Sequence, residues 1–326
     1  MNCPEMRVRT ATASTLARLS VIIPTKYRPA VVERTVESVF RQTVLPWQVI
    51  IIDQSSTEET RQRIEKQYAT APAPLRQNTR LSYLHDATVA GAAAARNRGM
   101  DLAEGDTWLF LDDDVRLEPD FIEHVLDVYR RYPTATGVSG VFTNYLPPSW
   151  VRRAWSRAFL CGPFHDERQP IYWDADRLRD GDPLRVRKFT GALMSFRAEA
   201  IRSLRFDENI RTTGAEDVEF CARLRPGSVL LVAPAARLFH ERAPAGRSDN
   251  HWVQGDLEWA YYLYRRNWDV GVRNRLCFAW LIVGYAVAAT LASIRQRSFA
   301  PWRGLFSGIR EGGAHAEYTR SRSNRT

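Results

Sequence analysis

A regular alternation of apolar runs and amphipathic stretches over the first 132 residues constrains the fold of this chain more than any other feature. Four apolar runs predict buried strands, at 19–24, 47–53, 81–86 and 107–112. Each is followed by an amphipathic stretch that predicts a helix, at 29–42, 56–69, 89–105 and 119–132. Strands that alternate with helices form right-handed βαβ units, so we predict an α/β fold with a mostly parallel, twisted sheet flanked by helices.

Polar residues stand directly after the predicted strands. Thr25 follows the first strand, Asp53 ends the second, Asp86 ends the third, and Asp112–Asp114 end the fourth. The carboxyl ends of parallel strands meet at one edge of a sheet, where open α/β folds bind their ligands. We therefore expect these residues to converge on one binding site.

The stretch "LFLDDDV" places three adjacent carboxylates at the end of a buried strand. Their repulsion and lost hydration destabilise such a cluster unless a cation compensates them. A calcium loop is disfavoured, because the fifth position counted from Asp112 is Arg116 and the sixth is not glycine. A hard divalent cation, Mn²⁺ or Mg²⁺, held by one or two carboxylates and by phosphate oxygens of a ligand, fits better.

The chain carries a formal charge of +9, almost all of its positive charge on arginine, since Lys26, Lys66 and Lys188 are the only lysines. Much of the arginine excess lies after residue 294, outside the predicted sheet. Codon bias explains such a composition, but guanidinium groups also suit phosphates and anionic lipids. The four cysteines form no CxxC pair, which argues against a zinc cluster or disulfide framework and fits a reducing compartment.

One apolar segment, 276–294, runs for 19 residues without a charge and has arginines on both flanks. It is long enough to span a membrane. Gly284, Ser293 and several alanines make it only moderately hydrophobic, so a helix in the membrane interface or packed against the domain is an equal alternative. The N-terminus lacks a basic patch followed by an apolar stretch, so we expect no cleavable signal peptide.

The pattern loosens after residue 143. Residues 144–173, rich in Pro, Trp and Arg, predict an irregular loop or an amphipathic excursion. Strand-like runs resume at 185–196, 228–233 and 236–240, and 251–268 predicts an aromatic helix.

Six motifs in this order resemble those of the family 2 glycosyltransferases, which bind nucleotide sugars with the fold called GT-A. The motifs are "SVIIPTKYRP", "VIIIDQSS", "ARNRG", "LFLDDDV", "TGALMSFR" and "GAEDVEFCARL". They extend over residues 19–240, about two thirds of the chain. A Rossmann dehydrogenase is disfavoured because the first strand ends in "PTKYRP" and lacks GxGxxG.

The resemblance implies a binding site for a nucleotide-sugar donor linked to UDP, dTDP or GDP. In the family the positions of Pro24, Thr25 and Asp53 hold the nucleoside, and Asp112 or Asp113 contacts ribose or sugar. Arginines of two motifs are candidates for phosphate or base contacts. The implied donor-binding residues are Pro24, Thr25, Arg28, Asp53, Arg96, Asn97, Asp112, Asp113 and Gly191, with Arg98 as a further candidate.

The resemblance also implies the metal ligands and the catalytic base. Asp114 corresponds to the family's ligand for Mn²⁺ or Mg²⁺, with Asp112 beside it and His240 completing the shell. Asp217 corresponds to the general base that takes the proton of the acceptor hydroxyl, with Glu216 beside it. Acidic residues in the first turn of a helix also stabilise the helix dipole, which is the structural alternative for this pair.

The sequence thus predicts a metal-dependent, inverting, hexosyltransferase-like enzyme acting on a lipid-linked or growing surface glycan. A nucleotidyltransferase and a non-enzymatic, Arg-rich adaptor for membranes or polyanions are the alternatives. The expected partners are the donor, the acceptor and a membrane surface, with no nucleic acid, and the expected location is the cytoplasm at the inner face of the cell membrane. The expected organisation is a flexible lead (1–18), a catalytic domain (19–245, divided into 19–115 for nucleotide and 116–245 for acceptor), a helical region (246–296) and a basic polar tail (297–326).

Overall fold

The computed structural model describes residues 18–179, 181–210, 215–241 and 252–323. Its strands are β1 (Leu19–Thr25), β2 (Gln48–Asp53), β3 (Arg80–His85), β4 (Thr107–Leu111), β5 (Val115–Leu117), β6 (Ala135–Phe142), β7 (Leu184–Val186), β8 (Leu193–Arg197) and β9 (Val229–His240). The predicted lead, 1–18, lies outside the described residues apart from Arg18.

The helices of the first half follow the predicted alternation, with one addition, α3, in a proline-containing stretch that the periodicity did not predict. The α-helices are α1 (Pro29–Phe40), α2 (Glu59–Ala69), α3 (Ala73–Asn78), α4 (Ala92–Leu102), α5 (Phe121–Arg131), α6 (Trp150–Phe159), α7 (Gln169–Trp173), α8 (Ala198–Ile201), α9 (Glu216–Ala222), α10 (Trp252–Leu263), α11 (Gly271–Gln296) and α12 (Ala300–Ser323). A π-helical turn, Tyr264–Trp268, joins α10 to the last two helices.

The sheet follows the order β3-β2-β1-β4-β8-β6-β9-β5, and β7 pairs with β9. The first four strands in sequence are parallel to one another, as predicted. β8 joins β4 in the antiparallel direction, so the sheet as a whole is mixed. β1, β2 and β4 are buried along their whole length, which explains their continuous apolar sequences.

The strand register brings the predicted polar residues to one edge of the sheet. Thr25 lies opposite Asp53 across the β1–β2 pair. Asp112–Asp114 follow β4, the other neighbour of β1. β5 pairs with the end of β9, which places Val115 opposite His240. The aspartates after β4 and His240 at the end of β9 therefore lie close together, although they are far apart in the sequence.

The segment 144–173 contains defined helices, as the amphipathic alternative predicted. Ser149 caps α6 by accepting a hydrogen bond from the Arg152 backbone N–H at 3.3 Å. The runs predicted at 228–233 and 236–240 form one continuous strand, β9, with a register shift against β6.

The described residues from 252 onward are mostly helical, with short breaks before α11 and before α12. The stretch predicted as a basic polar tail forms α12, which packs along α10. Glycines at four-residue intervals, Gly304, Gly308 and Gly312, face α10 and leave no room for a Cβ at the last two. Polar composition concealed this helix, because glycines form much of its contact with α10 and only a few apolar side chains, such as Leu305, add to it.

Candidate active site

The three aspartates after β4 lie at the sheet edge with three different sets of partners. The Thr25 hydroxyl donates to Asp113 at 2.7 Å, and the Arg28 guanidinium donates to Asp113 at 2.5 Å and to Asp114 at 2.9 Å. Burial, opposed by the Thr25 and Arg28 contacts, raises the pKa of Asp113 to about 7. Arg28 thus neutralises part of the charge that the sequence predicted to be unfavourable.

Asp112, Asp114 and His240 form a group suited to a metal ion. Each offers one ligand atom, and these atoms lie within 4.8 Å of one another. His240 Nε2 lies 3.0 Å from Asp114 Oδ1, and its buried Nδ1 has no hydrogen-bond partner. Two carboxylates and an imidazole are donors that Mn²⁺ accepts, so the residues fit the predicted ion. The group could therefore hold a divalent metal.

Asn144 holds the backbone of His240 in place. The backbone N–H of His240 donates to Asn144 Oδ1 at 3.0 Å, and Asn144 Nδ2 donates to the His240 carbonyl at 2.8 Å.

Burial opposes the charge of Asp114, but the hydrogen bonds from His240 and Arg28 outweigh it, so the pKa of Asp114 lies below its ordinary value. Asp114 is thus held as a carboxylate, the form that binds a cation.

Arg96 connects the metal-binding group to Glu216, the neighbour of the predicted general base Asp217. Its fully buried guanidinium donates to Glu216 Oε1 at 2.6 Å, to Asp112 Oδ1 at 2.9 Å and to the Gly191 carbonyl at 3.1 Å. A Cβ on Gly191 would lie 3.1 Å from the Arg96 guanidinium and 3.5 Å from the Asp217 carboxylate. Glycine at this position leaves room for the arginine between the two acidic groups.

Asp217 lies in the first turn of α9 and is buried. One of its oxygens accepts from the Gly191 backbone N–H, and the other accepts from the Val218 backbone N–H at 2.6 Å. Burial and the neighbouring Glu216 raise the pKa of Asp217 to about 6. Glu216 Oε2 also accepts from the Ala215 N–H at 3.1 Å, so both carboxylates bind N–H groups at the start of α9, where acidic side chains also stabilise the helix dipole.

Like Arg96, two further predicted donor-binding residues make their hydrogen bonds to other parts of the protein. Asp53 is fully buried, and it accepts from the Ser55 N–H at 2.9 Å and the Tyr83 hydroxyl at 2.6 Å. Asn97 exchanges hydrogen bonds with the Phe206 backbone, at 2.8 and 3.0 Å. The structure therefore brings neither side chain into contact with the aspartates. Pro24 lies buried within β1.

Sequence reasoning missed a cationic group beside Asp217. Arg168 donates to Asp166 at 2.7 Å and to the Phe189 carbonyl at 2.5 Å, and its charge lowers the pKa of Asp217 against the effect of burial. Lys188 stands nearby, and burial lowers its pKa below the ordinary value. The only signal in the sequence was the arginine-rich composition of 144–173, which does not indicate which arginine turns inward.

Comparison with protein families gives one match over more than half of the chain. The family model described as Glycosyl transferase family 2 matches residues 20–201. The match covers β1 to β8 and includes the three aspartates, Arg96 and Gly191, and it ends before α9.

Curated relatives are similar over parts of the chain. An uncharacterized glycosyltransferase of Haemophilus influenzae is 36% identical over 35% of this chain and 35% of its own length. A glucosyl-dolichyl phosphate glucuronosyltransferase of Haloferax volcanii is 26% identical over 71% of this chain and 70% of its own length. The succinoglycan biosynthesis protein ExoM of Rhizobium meliloti is 28% identical over 49% of this chain and 47% of its own length. The chain thus spans about a third of the Haemophilus protein and half of ExoM.

Two solved glycosyltransferases share the fold. The mannosyltransferase PcManGT of Pyrobaculum calidifontis, solved with GDP-Man and Mn²⁺, is 16% identical and superposes with a TM-score of 0.56 over 94% of this chain and 88% of its own. GalNAc-T7, solved with UDP, GalNAc and Mn²⁺, is 17% identical with a TM-score of 0.53 over 78% of this chain and 51% of its own. At these identities the likeness concerns the fold.

Proposed function

Because the chain belongs to glycosyltransferase family 2 and has the GT-A fold, we propose that it is a metal-dependent, inverting enzyme that transfers a sugar from a nucleotide-sugar donor to an acceptor hydroxyl. One observation carries the proposal. The buried guanidinium of Arg96 connects Asp112 of the metal-binding group to Glu216, the neighbour of Asp217. Sugar transfer needs a metal site for the donor diphosphate and a base for the acceptor hydroxyl, and the two must lie side by side.

The donor side of the cleft provides positive charge for the leaving group. Asp112, Asp114 and His240 would hold Mn²⁺ or Mg²⁺, which neutralises charge on a nucleoside diphosphate when bound. Arg28, one third exposed and already at the aspartates, is placed to contact the same phosphates. The nucleoside then lies toward Pro24, Thr25 and the end of β2, where Asp53 is buried. UDP, dTDP and GDP are all candidates for the carrier.

Asp217 acts on the acceptor side. Its carboxylate takes the proton of the acceptor hydroxyl while that oxygen attacks the anomeric carbon from the face opposite the leaving diphosphate. The bond between the sugar and the diphosphate breaks, its electron pair leaves with the diphosphate, and the anomeric configuration inverts. The backbone N–H groups of Gly191 and Val218 hold the carboxylate in position during this step.

We propose a lipid-linked or growing surface glycan as the acceptor. The Haloferax relative is named for a reaction on a glucosyl-dolichyl phosphate, and the Rhizobium relative for succinoglycan biosynthesis. α11 is long and apolar enough, by length and composition, to cross a membrane. These features favour work at the inner face of the cell membrane.

Family membership separates this proposal from the two alternatives. A nucleotidyltransferase would need a glycine-rich first loop for a triphosphate, and the loop after β1 is "KYR" before Pro29. A non-enzymatic arginine-rich adaptor gives no role to the buried aspartates.

The proposal is tested by calorimetric titration of nucleoside diphosphates and their sugars with and without Mn²⁺. We expect one nucleotide class to bind in a metal-dependent manner, and Asp114→Asn to lose that dependence. Asp106→Asn, an exposed carboxylate paired with Arg18, is the matched control and should bind as the wild type does. Absence of nucleotide binding by a folded wild-type protein in every metal condition would contradict the proposal.

A further inference from the structure

The exposed apolar residues of α11 lie on one side of the helix. Val272, Leu276, Trp280, Val283, Val287, Leu291 and Ile294 are each 41% to 73% exposed. Successive members are three or four residues apart, which confines them to an arc of about 100° and a length of about 33 Å. We call this surface the α11 stripe.

The other side of α11 is packed against protein. Phe278, Leu281, Tyr285 and Ala289 are buried in a cluster with residues of α10 and α12. The Phe278 ring stacks on Tyr264 of the π-helical turn with centroids 4.1 Å apart. α11 is therefore a two-sided helix, and its apolar stripe is exposed over most of its length and contacts α6 through Trp280.

Charge identifies what the stripe can contact. Residues 270–310 contain six arginines and no aspartate or glutamate. At 100° per residue, Arg273 and Arg295 stand at the edge of the stripe, near its two ends. A long apolar face bordered by arginines is the pattern of helices that lie at the surface of anionic membranes.

The packing of α6 decides between a spanning helix and a surface helix. The Trp155 indole N–H donates to the Gly284 carbonyl at 2.9 Å, so α6 lies beside the middle of α11. The Trp280 indole N–H donates to the Ala158 carbonyl at 2.6 Å, and Phe159 fills the space over Gly284. A bilayer centred on α11 would therefore have to enclose α6 as well.

Enclosing α6 would place arginines in hydrocarbon. Arg152 and Arg157 are exposed and stand within one turn of Trp155, the residue level with the middle of α11. An arginine at the centre of a bilayer is strongly disfavoured. An orientation with α11 parallel to the membrane plane immerses the stripe and leaves α6 in water or at the head groups.

We propose that the α11 stripe docks the enzyme on an anionic lipid bilayer, with α11 lying in the interface and not crossing the membrane. This docking deepens the membrane role given under the proposed function. Its biological purpose rests on that function, since a docked enzyme meets a lipid-linked acceptor at the membrane surface. The lipid contact itself is independent of donor and acceptor.

Sedimentation of the full-length protein with vesicles tests the contact. We expect strong binding to vesicles of phosphatidylcholine mixed with phosphatidylglycerol, weak binding to phosphatidylcholine alone, and weakening by salt. Leu276→Asp combined with Leu291→Asp should lower the affinity roughly tenfold or more. Arg273→Gln combined with Arg295→Gln should lower it roughly tenfold on the anionic vesicles. Leu102→Asp, an exposed leucine on α4, should bind vesicles as the wild type does.

Three results would overturn the proposal. The first is equal vesicle binding by the wild type and the double leucine variant. The second is no vesicle binding by the wild type. This second result includes the case in which sedimentation velocity shows a wild-type dimer that the leucine substitutions dissociate. The third is retention in cell membranes after alkaline carbonate extraction, which identifies a spanning helix. Nucleotide titration of every variant reports on its folding. A wild-type protein that binds vesicles but no nucleotide would contradict only the proposed function.

Discussion

His240 Nε2 lies 3.0 Å from Asp114 Oδ1, although 126 positions separate the two residues in the chain. The contact depends on the antiparallel pairing of β5 with the last residues of β9, which sets His240 opposite Val115. Asp114 immediately precedes β5. The position of the imidazole is therefore a property of the sheet edge, and Asn144 holds the backbone of His240 through two hydrogen bonds.

We predict that His240→Ala weakens Mn²⁺ binding by about tenfold or more, because one of the three donors of the metal group is removed. Titration of Mn²⁺ in the presence of the bound nucleoside diphosphate measures the effect. His124→Ala on α5, paired with Asp120 at the surface, is the control. Unchanged Mn²⁺ affinity in His240→Ala would remove this residue from the proposed ligand set.

Asp217→Asn should lower the rate of sugar transfer by about 10²- to 10⁴-fold while nucleotide binding persists, because the amide cannot accept the acceptor proton. The readout is single-turnover transfer beside calorimetry of the donor. Asp127→Asn, on the exposed side of α5, serves as the matched variant. A comparable loss of donor affinity in Asp217→Asn would indicate a binding role and not a base.

The rate should depend on pH through Asp217. A general base must be deprotonated, and the pKa of Asp217 is raised to about 6, so transfer is fast above this pH and declines about tenfold per pH unit below it. Glu216→Gln should move the midpoint downward, because the neighbouring negative charge that raises the pKa is removed. A transfer rate that stays constant from neutral to acidic pH would show that the protonation of Asp217 does not control the rate.

Arg96→Met should destabilise the fold by about 3–5 kcal/mol, since it leaves the carboxylates of Asp112 and Glu216 without their buried partner. Urea denaturation measures the change. Arg98→Met, two residues further along α4 and exposed, should change stability by less than about 0.5 kcal/mol. If the two variants unfold alike, the bridge does not stabilise the domain.

The close packing of α12 on α10 gives a further prediction. A Cβ at Gly312 would clash with the Glu258 carbonyl oxygen and lie 2.9 Å from the Tyr261 Cβ, so Gly312→Ala should cost about 1–3 kcal/mol. Gly255→Ala on α10 meets no atom within 4 Å and should leave the protein as stable or stabilise it. Thermal unfolding followed by circular dichroism compares the two, and equal melting temperatures would contradict the packing.

The sequence by itself determined β1 to β4, the helices α1, α2, α4 and α5, and the edge at which their polar residues gather. The local sequence pattern is sufficient there, because β1, β2 and β4 are buried along their length and their central residues are therefore apolar. The motif order also indicated the family that the match over residues 20–201 established.

The tertiary structure alone decided which partners these residues have. That Arg96 bridges Asp112 and Glu216, that Asp53 is satisfied by Tyr83, and that Arg168 stands beside Asp217 depend on contacts between distant segments. The helix α12 was likewise decided by packing, since glycines that weaken an isolated helix allow it to approach α10 closely. Hydrophobic periodicity reports which face of an element is buried, but it carries no information on what is packed against that face.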